Sequence, residues 1–134
     1  MRRVILESPY AGNSNWKVVA FFQRRANIKY ARRCVRDSLS RGESCLASHL
    51  LYTQPGVLRD ADPVERQWGI DAGLAWGVVA EATVVYVDRG VSKGMEYGIS
   101  RAITEGRPVI CRALVDQHRV YAANYRYLND RAMA

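Results

Sequence analysis

Long apolar runs are missing from this chain. Nowhere does it hold the roughly 18 consecutive apolar residues that a membrane-crossing helix needs, so no transmembrane span and no membrane partner are expected. Cysteine is scarce: Cys34, Cys45 and Cys111 are odd in number and widely spaced. They make neither a disulfide framework nor a CxxC knuckle, and plain buried thiols are expected. Cys45 and His49 have a ligand-like spacing but lack two companions, so neither a metal site nor a cofactor is expected. Neither a GxGxxG fingerprint nor a Walker phosphate loop is present. No internal repeat or linker divides the chain. The N-terminal MRRVILESPY turns polar by Glu7, too early for a signal peptide, and a cytoplasmic location is expected.

What remains is an ordinary globular composition. The 134 residues are 49% hydrophobic and 25% charged, enough for a single domain (1–134) around one core. The charge is less ordinary. A net +7 gathers in the first third: residues 1–41 carry ten Lys/Arg against Glu7 and Asp37, while the remainder is close to neutral. Arg25, Lys29, Arg32, Arg33 and Arg36 form a stripe at helical spacing. Such a stripe suits a solvated face, attraction of a phosphate toward the first loop, or nucleic acid. Only Tyr30 interleaves it with an aromatic ring, which is little for single-strand binding.

Periodicity gives the architecture. Val4-Ile5-Leu6 reads as a buried strand running into the loop SPYAGN. A helix is expected from about Asn27 to Arg41, stopped by Gly42. Residues 14–26 fit either a helical extension or a flap. Cys45-Leu46-Ala47 suits a short second strand, followed by a long loop from Tyr52 to Asp62. Asp62-Pro63-Val64-Glu65 is a strong helix start, for a helix running to about Ala80. Ala82 to Val87 reads as a strand covered on both faces, Ser92 to Glu105 as a helix closed by Gly106, and Pro108 to Cys111 as a fourth strand. The tail, 113–134, suits a last helix or an arm reaching a neighbouring subunit. Strands alternating with helices predict an α/β fold, a Rossmann-like open parallel sheet of four to five strands flanked by helices.

Ligands in such sheets bind beyond the carboxyl ends of the strands. SPYAGN, SHLLYTQ and DRGVSKGMEYG occupy that place. In the third, Gly90 and Gly94 allow close backbone approach, and Ser92 is placed to cap the next helix. Glu96 falls in that helix's first turn, where the helix N-terminus favours an anion. An anionic, positioned glutamate suits attack on a sugar anomeric carbon, although acidic residues are common in first turns for the dipole alone. Trp68 and Trp76 share a helix face and suit a core or a subunit interface, as do Trp16, Phe21 and Phe22, which also have the bulk to close over a stacked base.

With ILESPYAGN, SHLLYTQ and VVYVDRGVSKGMEYGISRAITEGRPV in this order, the chain resembles the nucleoside 2-deoxyribosyltransferase superfamily, which includes 2′-deoxynucleoside 5′-phosphate N-hydrolases. It is especially similar to a branch of small proteins, many carried by phages. The likeness spans roughly residues 3–112. It implies cleavage or transfer at the N-glycosidic bond of a nucleoside or nucleoside 5′-monophosphate, without a cofactor. It further implies Glu96 as the nucleophile at C1′ and Tyr10 as an aromatic group beside the base or nucleophile. Asp71 is the implied carboxylate for the leaving base, with Asp88 as its competitor. Ser8, Gly12, Asn13, His49, Asp88, Ser92 and Gly94 are the expected substrate contacts. The expected partners are a nucleoside or nucleotide and a second copy of the chain, as a homodimer or higher homo-oligomer. Two rival functions share the sequence: a non-catalytic protein sequestering a nucleotide in the same pocket, and a basic nucleic-acid-binding accessory protein.

Overall fold

The computed structural model describes residues 1–132, with side chains as far as Arg126. In chain order the elements are β1 (Arg2–Glu7), α1 (Lys17–Ser40), β2 (Glu43–Leu46), α2 (Ser48–Leu51), α3 (Pro63–Gly77), β3 (Ala82–Tyr86), α4 (Lys93–Thr104), β4 (Val109–Arg112) and α5 (Gln117–Ala132). The strands pair in the order β2-β1-β3-β4, every pair parallel, with Val4 opposite both Cys45 and Ala82. This is the α/β sheet that the alternating pattern predicts. Its order reverses between β1 and β3, so the loops leaving those two strands diverge and open a crevice between them.

Burial explains why each element forms. Every residue of β3 is buried, as the central strand of a sheet covered on both faces requires. On one face Val4, Leu6, Val84 and Tyr86 pack against Tyr30 and Cys34 of α1. On the other, Val85 and Val87 pack against Met95 and Ile99 of α4 and Ala123 of α5. Complete burial of a side chain such as Leu6 or Ile99 contributes roughly 1.5–3 kcal/mol. Strand alternation sends Val4 and Leu6 toward α1, and therefore Ile5 and Glu7 toward α4.

The helix signals in the sequence hold where side chains do the capping. Asp62 accepts hydrogen bonds from the Val64 and Glu65 amides at 2.9 and 3.3 Å, with Pro63 in the first turn. Ser92 accepts one from the Met95 amide at 3.3 Å. Gly42 and Gly106 follow α1 and α4 with φ of 76° and 70°, a left-handed turn that a side chain resists.

Two stretches differ from expectation. Helix α1 starts at Lys17, ten residues before Asn27, and absorbs most of the unplaced 14–26 segment. Its N-cap residue, Trp16, makes no side-chain cap bond, so the sequence carries no start signal there. Helix α2 directly follows β2, where a strand end and a loop were expected. The tail is a helix, with Ala123 buried against the α4 side of the sheet; residues 133–134 lie outside the described chain. One feature escaped prediction altogether. Arg112 of β4 donates to both Glu43 carboxylate oxygens at 2.7 and 2.6 Å, and Ser38 donates to the same carboxylate at 2.7 Å. This ion pair is almost wholly buried, and the paired guanidinium holds the Glu43 carboxyl below its ordinary range.

No helix among the described residues is long and apolar enough to cross a membrane. Cys34 and Cys111 are buried, Cys45 is half-buried, and all three are free thiols.

Candidate functional site

The crevice at the carboxyl end of the sheet is a cavity of about 1040 Å³. Its walls are the loop after β1, part of α1, the start of α2 and the segment after it, one side of α3, the loop after β3 and the first turns of α4, with Arg107 before β4 and Arg119 of α5. Ser8, Tyr10, Gly12, Asn13, His49, Asp88, Ser92 and Gly94 all line it, so eight of the expected site residues come together. Two do not. Asp71 is exposed and accepts a hydrogen bond from Gln67 at 2.8 Å, on the side of α3 away from the cavity. Glu96 is absent from the walls. Its side chain is 42% exposed and pairs with Arg126 of α5 at 3.0 Å. The implied place for a nucleophile is therefore turned outward, because Met95, Ile99 and Ala102 seat α4 on the sheet and fix its rotation.

The first loop is held by α1. Gln23 accepts from the Asn13 and Ser14 amides at 2.9 and 3.1 Å. Buried Asn27 donates to the Tyr10 and Ala11 carbonyls at 3.2 and 3.3 Å and accepts from Arg89 at 2.7 Å, joining the loops after β1 and β3. Gly12 serves packing: a Cβ there would lie 2.6 Å from Ala20 Cα. At the end of the loop nearest the sheet, a hydrogen bond of 2.7 Å joins Ser8 Oγ to His49 Nε2. Burial pushes His49 down to about 4, so its ring is neutral near pH 7.

Asp88 has a structural partnership. Its carboxylate accepts from Tyr30 Oη at 2.5 Å and from the amides of Leu114, Val115 and Asp116 at 2.9, 2.8 and 3.1 Å. Although burial works the other way, these bonds hold it down to about 2. Asp60 likewise receives both its bonds from Arg66, at 2.8 and 2.9 Å.

Glu7 was missed as a site residue. It ends β1 on the α4 side, lines the cavity and is half-buried. Among the described residues its carboxyl has neither a hydrogen bond nor an ion pair. It sits where Gly98 lacks a side chain: a Cβ at Gly98 would lie 2.7 Å from Glu7 Cδ. Desolvation pushes the acid up to about 8, with the Arg107 charge pulling the other way. A carboxylate closing an apolar strand was the available signal. The α3 wall was missed as well, although Gly69, Gly73 and Gly77 recur every four residues along it. A Cβ at Gly73 would lie 2.8 Å from Ser48 Oγ, so the glycine lets α3 approach α2.

The cations at the cavity are Arg66, Arg89, Lys93, Arg107 and Arg119. The basic stripe of α1 supplies none of them: Arg25, Lys29, Arg32, Arg33 and Arg36 are exposed on its outer face. Trp16, Phe21 and Phe22 are exposed beyond the cavity, and Phe21 and Phe22 meet edge to face at 5.6 Å. Trp68 and Trp76 stand on the outer side of α3, each more than half exposed, which removes them from the core. No group of three or more His, Cys, Asp or Glu side chains among the described residues is arranged to hold a metal ion.

A family model described as a domain of unknown function, DUF7768, matches residues 2–112, which carry all four strands and every segment around the cavity except α5. The chain belongs to this family. No curated protein matches the DUF7768 chain. Among solved structures it is similar to a 2-deoxyribosyltransferase from the psychrotolerant bacterium Bacillus psychrosaccharolyticus, with a TM-score of 0.55 and 17% identity over 83% of this chain and 72% of that one. That protein is described as a biocatalyst for nucleoside synthesis. The DUF7768 chain shares its fold.

Proposed function

We propose that the cavity takes a nucleoside or nucleoside 5′-monophosphate and that the protein cleaves or transfers at its N-glycosidic bond. The observation that carries this reading is the cavity itself. It lies at the reversal of strand order, in a fold shared with a 2-deoxyribosyltransferase, and its walls hold both a half-buried carboxyl with no partner among the described residues and a neutral histidine. Its volume is ample for a nucleotide, and Tyr10, Tyr52 and Tyr97 offer ring faces to a base. Arg89, Lys93 and Arg119 offer positive charge to a 5′-phosphate. Because Glu96 points outward, the proposal routes no step through it. Water or an acceptor base meets C1′ directly as the bond to the leaving base opens.

A second reading keeps the pocket and drops the turnover: a protein that sequesters a nucleotide. The outward position of Glu96 favours it, since no anionic nucleophile then stands where the resemblance implies one. Incubation with a panel of nucleosides and their 5′-monophosphates, with chromatography for free base and calorimetry for binding, separates the two. Base release supports the enzyme. Tight binding with intact substrate supports sequestration, and neither result refutes both.

A further inference from the structure

The acid that serves the leaving base is legible in the cavity. Four carboxyl groups compete for the role, and three are committed elsewhere. Asp71 lies outside the walls. Asp60 is held by Arg66, and Asp88 by Tyr30 and three amides, so both carboxyl groups are already taken up by partners. Glu7 is different in each respect. It faces the cavity, has no partner among the described residues, and is seated in the hollow over Gly98, which limits where its carboxyl can swing.

We propose that Glu7 is the general acid of the N-glycosidic step, giving its proton to a ring nitrogen of the departing base. This rests on the reading given under Proposed function. As the C1′–N bond breaks, its electron pair passes to the base and the Glu7 O–H proton bonds to that base. The oxygen of water bonds to C1′ and its proton returns to the Glu7 carboxylate, so nucleoside and water become base and free sugar with the acid restored. In a transfer reaction the acceptor base replaces water and returns its own N–H proton.

The surroundings favour a neutral, proton-bearing Glu7. The charged and titratable groups lining the cavity around it are Tyr10 after β1, His49 of α2, Tyr52 and Asp60 after α2, Arg66 of α3, Asp88 and Arg89 after β3, Lys93 and Tyr97 of α4, Arg107 before β4 and Arg119 of α5. His49 is neutral, Arg66 and Asp88 have partners of their own, and Arg107 alone acts appreciably on the carboxyl through space. Arg107 in turn donates to Thr83 Oγ1, the Gly77 carbonyl and Glu105 at 2.9, 2.7 and 2.6 Å, which keeps it from pairing with Glu7. Desolvation therefore wins, and the acid keeps its proton up to about pH 8.

The test compares native protein, Glu7→Gln and Glu7→Asp on the best substrate of the nucleoside panel and on a partner substrate whose leaving group needs no proton. An N7-methylated purine nucleoside or a 4-nitrophenyl glycoside of the same sugar serves. Glu7→Gln is expected to slow release of the ordinary base by about 10²–10⁴-fold and release of the activated group by less than about tenfold, with nucleotide affinity kept. Glu7→Asp is expected to fall between. The native rate is expected to decline with one deprotonation near pH 8 on the ordinary substrate and to stay flat there on the activated one. Equal losses on both leaving groups, or no loss on either, would overturn the assignment and leave Glu7 a packing residue. Should the glutamine variant fail to fold, the two native pH profiles decide alone. If native protein binds nucleotide but releases no base from any substrate, the N-glycosidic reading itself falls, and this assignment with it.

Discussion

Asp88→Asn should loosen the whole carboxyl-terminal segment. The native carboxylate splits its acceptors, one oxygen serving Tyr30 and Leu114 and the other Val115 and Asp116. An asparagine keeps one oxygen and turns an NH₂ group toward the donors of the other. Two of four charge-assisted bonds are lost, and two donors then face a donor. At about 1.5–3 kcal/mol for a bond to a charged group, reduced because the site is partly open to solvent, the loss is about 2–4 kcal/mol. With a urea m-value of about 1–3 kcal/mol/M, the unfolding midpoint at pH 7 should fall by roughly 1–2 M. The pH dependence has a definite sign. The folded-state pKa is depressed from 3.8 to about 2, so the carboxylate's contribution is present above pH 3.8 and fades as the pH falls toward 2. Native and variant curves of midpoint against pH should therefore converge at the acid end. Equal midpoints at pH 7, or a gap that persists at pH 2, would refute the reasoning.

Three further outcomes follow from the geometry. Gly98→Ala drives a methyl group into the Glu7 carboxyl and should cost about 1–3 kcal/mol as overpacking; thermal unfolding reads the stability, and base-release assays should show reduced turnover. Glu96→Gln breaks only the exposed pair with Arg126 and should leave turnover and stability nearly unchanged; loss of base release on this change would restore Glu96 to the chemistry. His49, neutral in the fold down to about pH 4 and charged below about 6.5 when unfolded, should make the native state less stable as the pH drops through that window. Its ring ¹⁵N shifts should stay those of a neutral imidazole at pH 5.5, and an imidazolium spectrum there would contradict the burial argument.

How much was legible in advance depended on what kind of signal each residue carries. The strands β3 and β4 and the capped starts of α3 and α4 stand in the sequence because burial and capping leave local marks: an unbroken apolar run, Asp62 before Pro63, Ser92 before Gly94. The start of α1 left no such mark, since Trp16 does not cap it. Helix α2 is a single turn, too short for any period to show. Glu96 shows the limit of motif spacing. Two residues past Gly94 is about 200° around a helix, so with Gly94 at the cavity wall Glu96 faces away from it. Glu7 shows the converse. It read as the polar end of an apolar run, while strand alternation, with Val4 and Leu6 packed toward α1, is what carries it into the cavity. The charge partition misled in a similar way. Most of the excess of residues 1–41 lies on the exposed side of α1, and the cavity's cations come from the near-neutral remainder.

Turnover is the direct test. With nucleoside 5′-monophosphate in large excess over the purified chain, the account predicts free base accumulating well beyond one equivalent per chain, on at least one member of the panel. Nucleotide that binds in the cavity and is recovered intact from every incubation would contradict it.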